Sequence, residues 1–289
     1  MVHRRLAAVV GALTLGLGLV GGGGIAEAQR ATPATVVWDR FASMLGGEPD
    51  DLKDARFAFD LTELHDDPVP AGTLTADFAE GFDSEPRTIA FSANGEAAWL
   101  AADLTTYDIC GDETCPKKPR ASGRYHATAL FTGGAPWQPV TWHVSYVFDS
   151  KEYAAAVAHD ELDPVGDKVA KADDVVALFR ASMADPAALI KTVSSRADVV
   201  LYGTDRKERY VGGKKVAATL KKWSLAFTVR DGVQAGTTAS GTVAWVAANV
   251  DAVSSKKPGA KPSPYRVTCL YEKTDAGWKA VVIHFSFQR

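Results

Sequence analysis

Apolar residues in the second half of the chain recur at helical spacing in three places. Residues 172–185, "ADDVVALFRASMAD", place them near intervals of three and four, and Asp173 or Asp174 can cap the amino end of this helix. Pro186 can begin a second helix, because proline is favoured at the first helical position. A third helix is predicted over 212–227, where its end passes into a strand.

Strand-like segments alternate with these helices and then follow one another directly. A short apolar segment, "ADVVLYG", lies between the second and third helices. Three longer ones, "GTVAWVAANVDAV", "YRVTCLYEK" and "GWKAVVIHFSF", come after the third helix, joined by a Pro/Lys/Ser loop at 254–264 and a turn at 274–277. Helices followed by consecutive antiparallel strands predict an α+β fold, with the helices on one face of a curved sheet.

The same motifs occur twice along the chain and in the same order. Residues 92–104, "SANGEAAWLAADL", resemble 238–250, "TASGTVAWVAANV", and 124–131 resemble 264–271. In each half a Trp is followed by a His and then by a Ser at equal spacing: Trp137, His143 and Ser145 match Trp278, His284 and Ser286. Such ordered self-similarity predicts a tandem repeat.

The second copy carries the motifs of a known family. Its "LYGTDRKERYVGGKKVAATLKKW" (201–223), "VAWVAANV", "YRVTCLYEKTDAGWK" and "IHFSF" resemble the SnoaL-like family of the nuclear transport factor 2-like superfamily. In that family a Gly-Thr-Asp segment follows the first strand, and the last strand begins with Trp and carries His-x-Ser near its end. The first half departs from this pattern at 59–72, "FDLTELHDDPVPAG", and is interpreted as a degenerate copy.

The resemblance implies two cone-shaped domains, each a curved, largely antiparallel sheet wrapped on helices. The expected boundaries are 29–150 for the degenerate SnoaL-like domain, 151–172 for a linker and 173–289 for the second SnoaL-like domain. Members of the family commonly dimerise through their sheets, so the two copies are expected to pair within the chain as a pseudo-dimer. Assembly into a homo-oligomer is a further option that the resemblance leaves open.

The first residues have the character of an export signal. Arg4 and Arg5 precede an apolar core at 6–20, and Ala-Glu-Ala at 26–28 fits a small-x-small cleavage site. Residues 1–28 are therefore predicted to be a signal peptide, and the mature protein is expected in the periplasm or outside a bacterial cell. The core is short for a transmembrane span, so only an uncleaved signal would bring the protein to a membrane.

Charge and cysteine content narrow the expected partners. The 289 residues carry a net charge of −3, whereas proteins that bind a phosphate backbone are usually basic, so nucleic acid is not an expected partner. Cys110 and Cys115 frame "CGDETC" and are expected to form a disulfide in an oxidising compartment. Cys269 lies in a predicted strand and is expected to be a buried free thiol.

The last strand offers the first set of candidate functional residues. Strict alternation places Trp278, Ala280, His284 and Ser286 on one face and Phe285 on the other. On a pocket wall, His284 could act as a general base or donate a hydrogen bond. The alternative is a His-Ser pair buried where two sheets meet, with its polar atoms satisfied by partner groups.

The "GTDRKERYVGG" loop offers the second set. Asp205 or Glu208 could serve as an acid–base carboxylate in an apolar pocket, and Arg209 could receive a carboxylate ligand. The alternative is that Asp205 shapes a turn while Glu208 and Arg209 form a solvated pair. The catalytic candidates are thus Asp205 and His284. The ligand-contacting candidates are Tyr202, Glu208, Arg209, Tyr210, Trp223, Trp245, Trp278 and Ser286.

These candidates do not form a self-sufficient catalytic signature. The sequence lacks a Gly-rich phosphate loop, a His-x-x-x-His pair and a Gly-x-Ser-x-Gly elbow, so no cofactor or metal is expected. The resembled family includes isomerases, cyclases, dehydratases, ligand binders and association domains. The sequence favours binding of a small apolar or amphipathic ligand, or an interaction module, over catalysis.

Two alternatives to ligand binding stay open. In a cofactor-independent isomerase, cyclase or hydratase, Asp205 or His284 would abstract a proton and a pocket tyrosine would stabilise the enolate. A structural or association module would instead fill the pocket, with Trp245, Phe227 and Phe285 occupying its space. An open cavity would therefore favour ligand binding or catalysis over a structural or association module.

Overall fold

Two sheets and four helices make up the described part of the chain. The computed structural model describes residues 32–45, 82–108, 120–134, 136–147, 168–254, 256 and 259–287. They belong to one compact unit that spans Thr32–Arg289. The predicted signal peptide, the Cys110–Cys115 pair and most of the predicted linker lie outside the described residues. Within those ranges no helix combines the length and the apolar character that a membrane crossing requires.

The first sheet has five strands and one helix against it. Helix α1 buries Val37, Phe41 and Met44, whose spacing of four and three places them on one helical face. The strands lie in the order β1-β3-β4-β5, and β2 also pairs with β3. The elements are α1 (Pro33–Leu45), β1 (Phe82–Asp83), β2 (Arg87–Phe91), β3 (Ala97–Asp108), β4 (Arg120–Thr132) and β5 (Gln138–Tyr146).

The second sheet has seven strands in the order β6-β9-β10-β11-β12-β7-β8. Strands β10, β11 and β12 form the predicted antiparallel meander, and β9 extends it by pairing with β10. Strands β6 and β7 each add a parallel pairing. The strands are β6 (Lys168–Ala170), β7 (Val200–Tyr202), β8 (Arg209–Val211), β9 (Leu225–Thr237), β10 (Val243–Ser254), β11 (Ser263–Thr274) and β12 (Gly277–Ser286). The helices are α2 (Asp173–Ala184), α3 (Pro186–Thr192) and α4 (Gly213–Trp223). Strand β6 falls inside the predicted linker, which therefore contributes to the sheet.

Local chemistry explains where the helices begin. The Asp185 side chain accepts a hydrogen bond from Ala187 N, and Pro186 takes the first position of α3, as predicted. The prediction that Asp173 or Asp174 caps α2 is wrong, because Ala172 holds the cap position and both aspartates lie in the first turn. Negative charge is still favourable there, since it opposes the positive end of the helix dipole.

A β-bulge occurs at the equivalent place in both sheets and corrects the predicted faces of the last strand. Leu270 pairs with Val282 but Tyr271 pairs with Ala280, so Val281 is an extra residue. The bulge turns Trp278 and Ala280 toward the helices, whereas His284 and Ser286 face the first sheet. Strict alternation had placed all four residues on one face. The first sheet repeats the bulge, with Val140 as the extra residue between the partners of Leu130 and Phe131.

Three large hydrophobic clusters and one small one, all among the described residues, stabilise this arrangement. One lies between the second sheet and its helices and includes Phe179 and Phe285. Another lies between the first sheet and α1 and includes Phe41. The third contains buried residues of both sheets, among them Trp99 from β3 and Trp245 from β10. The two sheets therefore share buried apolar surface, which contributes to the stability of each.

Candidate functional site

A cavity of about 490 Å³ opens on the helix side of the second sheet. It lies between the loop that follows β7, the end of α4 and the start of β9, with β11 and β12 behind. This volume is within the range of small-molecule sites in proteins. Its lining consists of Gly203, Thr204, Asp205, Lys207, Glu208, Trp223, Leu225, Phe227, Tyr265 and Phe285.

Aromatic rings form the inner wall of this cavity. Phe285 stacks on Phe227 with ring centroids 5.0 Å apart. Trp223 and Tyr265 each meet Phe285 edge to face at 6.2 Å. In the two edge-to-face pairs the positive edge of one ring meets the negative face of the next, which is favourable. The wall is therefore apolar, and the space in front of it remains open.

The polar side of the cavity is a tight loop at 203–208. Glu208 folds back on it, so that its Oε2 accepts hydrogen bonds from Thr204 N at 2.9 Å and Asp205 N at 3.1 Å. Asp205 Oδ1 accepts a hydrogen bond from Lys207 N at 2.8 Å. Gly203 is required, because a Cβ at this position would overlap the Glu208 carboxylate. Two half-buried carboxylates are thus fixed at the rim, and exposed Lys207 lies beside them.

The residues on either side of this loop are turned toward the first sheet. Arg209 donates hydrogen bonds to Tyr202 Oη at 3.3 Å and to Thr88 Oγ1 at 3.0 Å, and its Nε lies 3.8 Å from Asp103 Oδ1. Burial, and after it the nearby Asp103 carboxylate, raise the pKa of Tyr202 well above its usual value. His126 stacks on Tyr202 and contacts Asp103 Oδ1 at 3.1 Å. The first sheet therefore anchors both ends of the loop.

Two histidines lie at the centre of the interface between the sheets. His143 Nε2 is hydrogen-bonded to Ser286 Oγ at 3.0 Å, and His284 Nε2 is hydrogen-bonded to Ser145 Oγ at 2.7 Å. The rings stack with centroids 3.8 Å apart. Burial lowers the pKa of His143 to about 3 and that of His284 well below its usual value. Both rings are therefore neutral at pH 7, because a charge here would be desolvated.

A second set of polar contacts joins the sheets at their opposite end. Arg196 donates hydrogen bonds to Glu272 Oε2 at 2.9 Å and to the Phe91 carbonyl at 3.0 Å. Glu272 Oε1 accepts a hydrogen bond from Ala93 N at 2.8 Å, and the Arg196 guanidinium lies over the Trp99 ring at 4.9 Å. Charged groups with several hydrogen-bond partners resist separation more than single surface pairs do.

Comparison with known families adds one match within the second half of the chain. The family model described as a SnoaL-like domain matches residues 171–289, fewer than half of the residues. Residues 171–289 are a SnoaL-like domain. No curated protein matches the sequence.

Several solved structures are similar to about two fifths of the chain. A proposed ketosteroid isomerase from Parabacteroides distasonis is 18% identical over 39% of this chain and 84% of its own, with a TM-score of 0.33. An NTF-2 like protein of unknown function from Shewanella oneidensis is 22% identical over 39% and 97%, with a TM-score of 0.31. A proposed dehydratase of the NTF2-like family from Streptomyces avermitilis is 20% identical over 39% and 89%, with a TM-score of 0.32. Likeness at this level does not bear on activity.

The cavity of the SnoaL-like domain gathers three of the candidate residues. Asp205, Glu208 and Trp223 line it. Tyr210 meets Trp223 edge to face at 6.1 Å but is not part of the lining. Trp278 packs against the same core and donates a hydrogen bond to Asp174 Oδ2 at 2.8 Å.

The other candidates lie between the sheets. Tyr202 and Arg209 belong to the contacts with Asp103, Trp245 lies in the core that the two sheets share, and His284 and Ser286 belong to the histidine–serine pairs. None of these five lines the cavity. The expectation that they contact a ligand in this cavity does not fit their position, because all five side chains contact residues of the first sheet.

Sequence reasoning did not propose several lining residues as ligand contacts. Strand alternation predicts the face of three of them, Leu225, Phe227 and Phe285. All three lie on the helix side of the sheet with the other apolar residues. Tyr265 carries the same signal, because it alternates with Val267 on that face of β11. The sequence does not show which of these apolar residues leave an open space between them.

Potential metal ligands and thiols are two further kinds of chemical group among the described residues. Among the described residues, no group of three or more His, Cys, Asp or Glu side chains could hold a metal ion. Cys269 is a buried free thiol, as predicted, and burial raises its pKa to about 12. A thiol in such surroundings is not a reactive nucleophile.

Proposed function

We propose that the SnoaL-like domain binds a small amphipathic molecule in the cavity beside the 203–208 loop. The observation that carries the proposal is that this space stays open although four aromatic residues surround it. In a purely structural module, Phe227 and Phe285 would fill the space, whereas here both form its wall. An apolar wall with a few fixed polar groups at its rim is the usual composition of a ligand site.

We further propose that the first half acts as the structural partner of this domain. In this view residues 29–150 are a degenerate copy, joined by 151–172 to the domain at 173–289, and the two pair as a pseudo-dimer. The matching bulges at Val140 and Val281 and the crosswise bonds of His143 and His284 support the proposal. The contacts of Arg209 with the first sheet give that partner a role in holding the cavity loop.

The catalytic alternative lacks an observation that favours it. His284, one of its two candidate bases, lies between the sheets with both ring nitrogens hydrogen-bonded. Asp205 lines the cavity, but its Oδ1 already accepts a hydrogen bond from Lys207 N. Neither arrangement provides a base that converges with an electrophilic donor on one bound atom.

The ligand proposal predicts different results for two tryptophan variants. The neutral fluorescent probe N-phenyl-1-naphthylamine should bind the wild-type protein in a fluorescence titration, and Trp223→Ala should weaken its binding about tenfold, because an aromatic wall is lost. Trp278→Ala is the matched control, since Trp278 is also half-buried and packs against the same core without lining the cavity. Failure of the wild-type protein to bind the probe, or equal affinity in the two variants, would contradict the proposal.

Export from the cell is proposed on the basis of the leader pattern at 1–28. We expect the full chain, expressed in a bacterial host, to be recovered from the periplasm or the medium with Gln29 as its first residue. Amino-terminal sequencing of the recovered protein measures this directly. Recovery from the cytoplasm with an intact leader would show that residues 1–28 are not a signal.

A further inference from the structure

We propose that the ligand of this cavity is an organic cation with an apolar body, such as a quaternary or protonated amine attached to an aromatic or alkyl group. This inference rests on the proposed function and names the charge of the ligand. Three features of the cavity lead to it: the aromatic rings of its wall, the charges at its rim and the hydrogen-bond donors that are already occupied.

The aromatic wall is suited to a positive head group. Trp223, Phe227 and Tyr265 surround Phe285 at centroid distances of 5.0 to 6.2 Å. The faces of these rings carry partial negative charge, so a cation in front of them is attracted more strongly than a neutral group of the same shape. Tryptophan is the most effective residue type in such contacts. The tryptophan of this wall, Trp223, is half-buried.

The charges of the lining act in the same direction. Asp205 and Glu208 are half-buried carboxylates of the lining, whereas Lys207, its only cationic residue, is exposed to solvent. Water screens the exposed ammonium more than it screens the half-buried carboxylates. The field inside the cavity is therefore negative, and it favours a positive ligand over an anionic one.

The backbone donors that could hold an anion are already used by the protein. The 203–208 loop presents the N–H groups of Thr204 and Asp205 together, but both donate to Glu208 Oε2. The N–H of Lys207 donates to Asp205 Oδ1. An anionic ligand would have to displace these internal carboxylates, whereas a cation can approach them without breaking any of the three hydrogen bonds.

Three probes of equal shape and different charge test the inference. Benzyltrimethylammonium, its uncharged carbon isostere neopentylbenzene and the anion benzylsulfonate share a benzyl group and a tetrahedral head. Isothermal titration calorimetry with the mature chain should show the ammonium binding at least about tenfold more tightly than the neutral isostere, with the sulfonate weakest. Equal affinity for the ammonium and the isostere, or tighter binding of the sulfonate, would overturn the inference.

Matched variants assign this preference to the cavity. Glu208→Gln keeps a side-chain oxygen for the two backbone donors and removes the charge, so it should abolish most of the preference for the ammonium over neopentylbenzene. Asp275→Asn removes the same charge from the exposed β11–β12 turn and should leave the preference intact. If Glu208→Gln fails to fold, Asp205→Asn replaces it in the same comparison. An unchanged preference in the cavity variant would contradict the inference.

The inference and the proposed function fail in distinguishable ways. If N-phenyl-1-naphthylamine binds and depends on Trp223 but the ammonium shows no advantage, the cavity is a ligand site and the cationic assignment is wrong. If the naphthylamine does not bind and none of the three benzyl probes binds, both the ligand site and its charge preference are wrong. If the naphthylamine binds and depends on Trp223, and the ammonium binds more tightly than the neutral isostere unless Glu208 is replaced by Gln, both are supported.

Discussion

Lowering the pH from 7.5 to 5 should reduce the free energy of unfolding by about 2 kcal/mol through His143 alone, and buried His284 should add to this loss in the same direction. In the folded protein, burial lowers the pKa of His143 to about 3, with Arg266 and His126 adding to the effect. Burial also lowers the pKa of His284, with His143 and His126 as further causes. The unfolded chain binds these two protons near the ordinary histidine pKa of 6.5, so it gains protons that the folded protein does not.

The sign and the pH range follow from this difference. The stability is fully present above the pKa of the unfolded histidines, and it falls as the pH drops from about 6.5 toward the folded pKa values. The range from 7.5 to 5 lies above the titration of ordinary carboxylates. Urea unfolding followed by circular dichroism at pH 7.5, 6 and 5 measures the slope.

The double variant His143→Gln, His284→Gln is the control for this prediction. Glutamine keeps a donor and an acceptor and stays uncharged at every pH, so the variant should lose most of the slope whatever its absolute stability. A slope equal to that of the wild-type protein would show that other groups cause the acid sensitivity.

Replacing Trp99 by alanine should lower the free energy of unfolding by about 3–5 kcal/mol, the range for a large aromatic residue removed from a core. Trp99 is fully buried in the core that both sheets share, and the Arg196 guanidinium lies over its ring. Trp245→Ala should have a similar effect, because Trp245 lies in the same core on the other sheet. Thermal and urea unfolding measure both losses.

The shared core also predicts how the protein unfolds. Because either tryptophan contributes to both sheets, each variant should unfold in one transition that is the same by far-ultraviolet circular dichroism and by tryptophan fluorescence. Trp278→Ala, at the half-buried end of β12, should cost clearly less. Two separate transitions in Trp99→Ala would show that the sheets are independent units. If Trp99→Ala does not fold, Trp99→Phe is measured in its place.

The sequence predicts well those parts of the fold that depend on contacts between residues close together in the chain. The helix at Pro186 and the meander of β10, β11 and β12 follow from proline chemistry, from alternation and from turn residues. The faces of β12 could not be predicted, because a bulge depends on how the partner strand is paired. One extra residue, Val281, turned Trp278 away from the face that carries His284.

The candidate site shows the same division between local and distant contacts. Asp205 and Glu208 were expected at a functional loop, and they line the cavity. Arg209 is adjacent in sequence, yet its side chain binds Thr88, which is 121 positions away. No local pattern reveals such a partner. The open space itself also lies beyond sequence reasoning, since it depends on how Phe227 and Phe285 pack against each other.

The two histidines at the sheet interface differ in the hydrogen bonding of Nδ1. They can differ because both belong to one chain. His284 Nδ1 is hydrogen-bonded to Thr128 Oγ1, whereas His143 Nδ1 and Thr268 Oγ1 have no hydrogen-bond partner among the described residues. In an assembly of two identical chains every substitution enters the contact twice, once from each side. In this chain a substitution changes only one side of the contact. The hydrogen bond of His143 can therefore change while that of His284 stays the same. Redesign of this protein can therefore alter either sheet separately, for example by giving His143 a partner without touching the bond at His284.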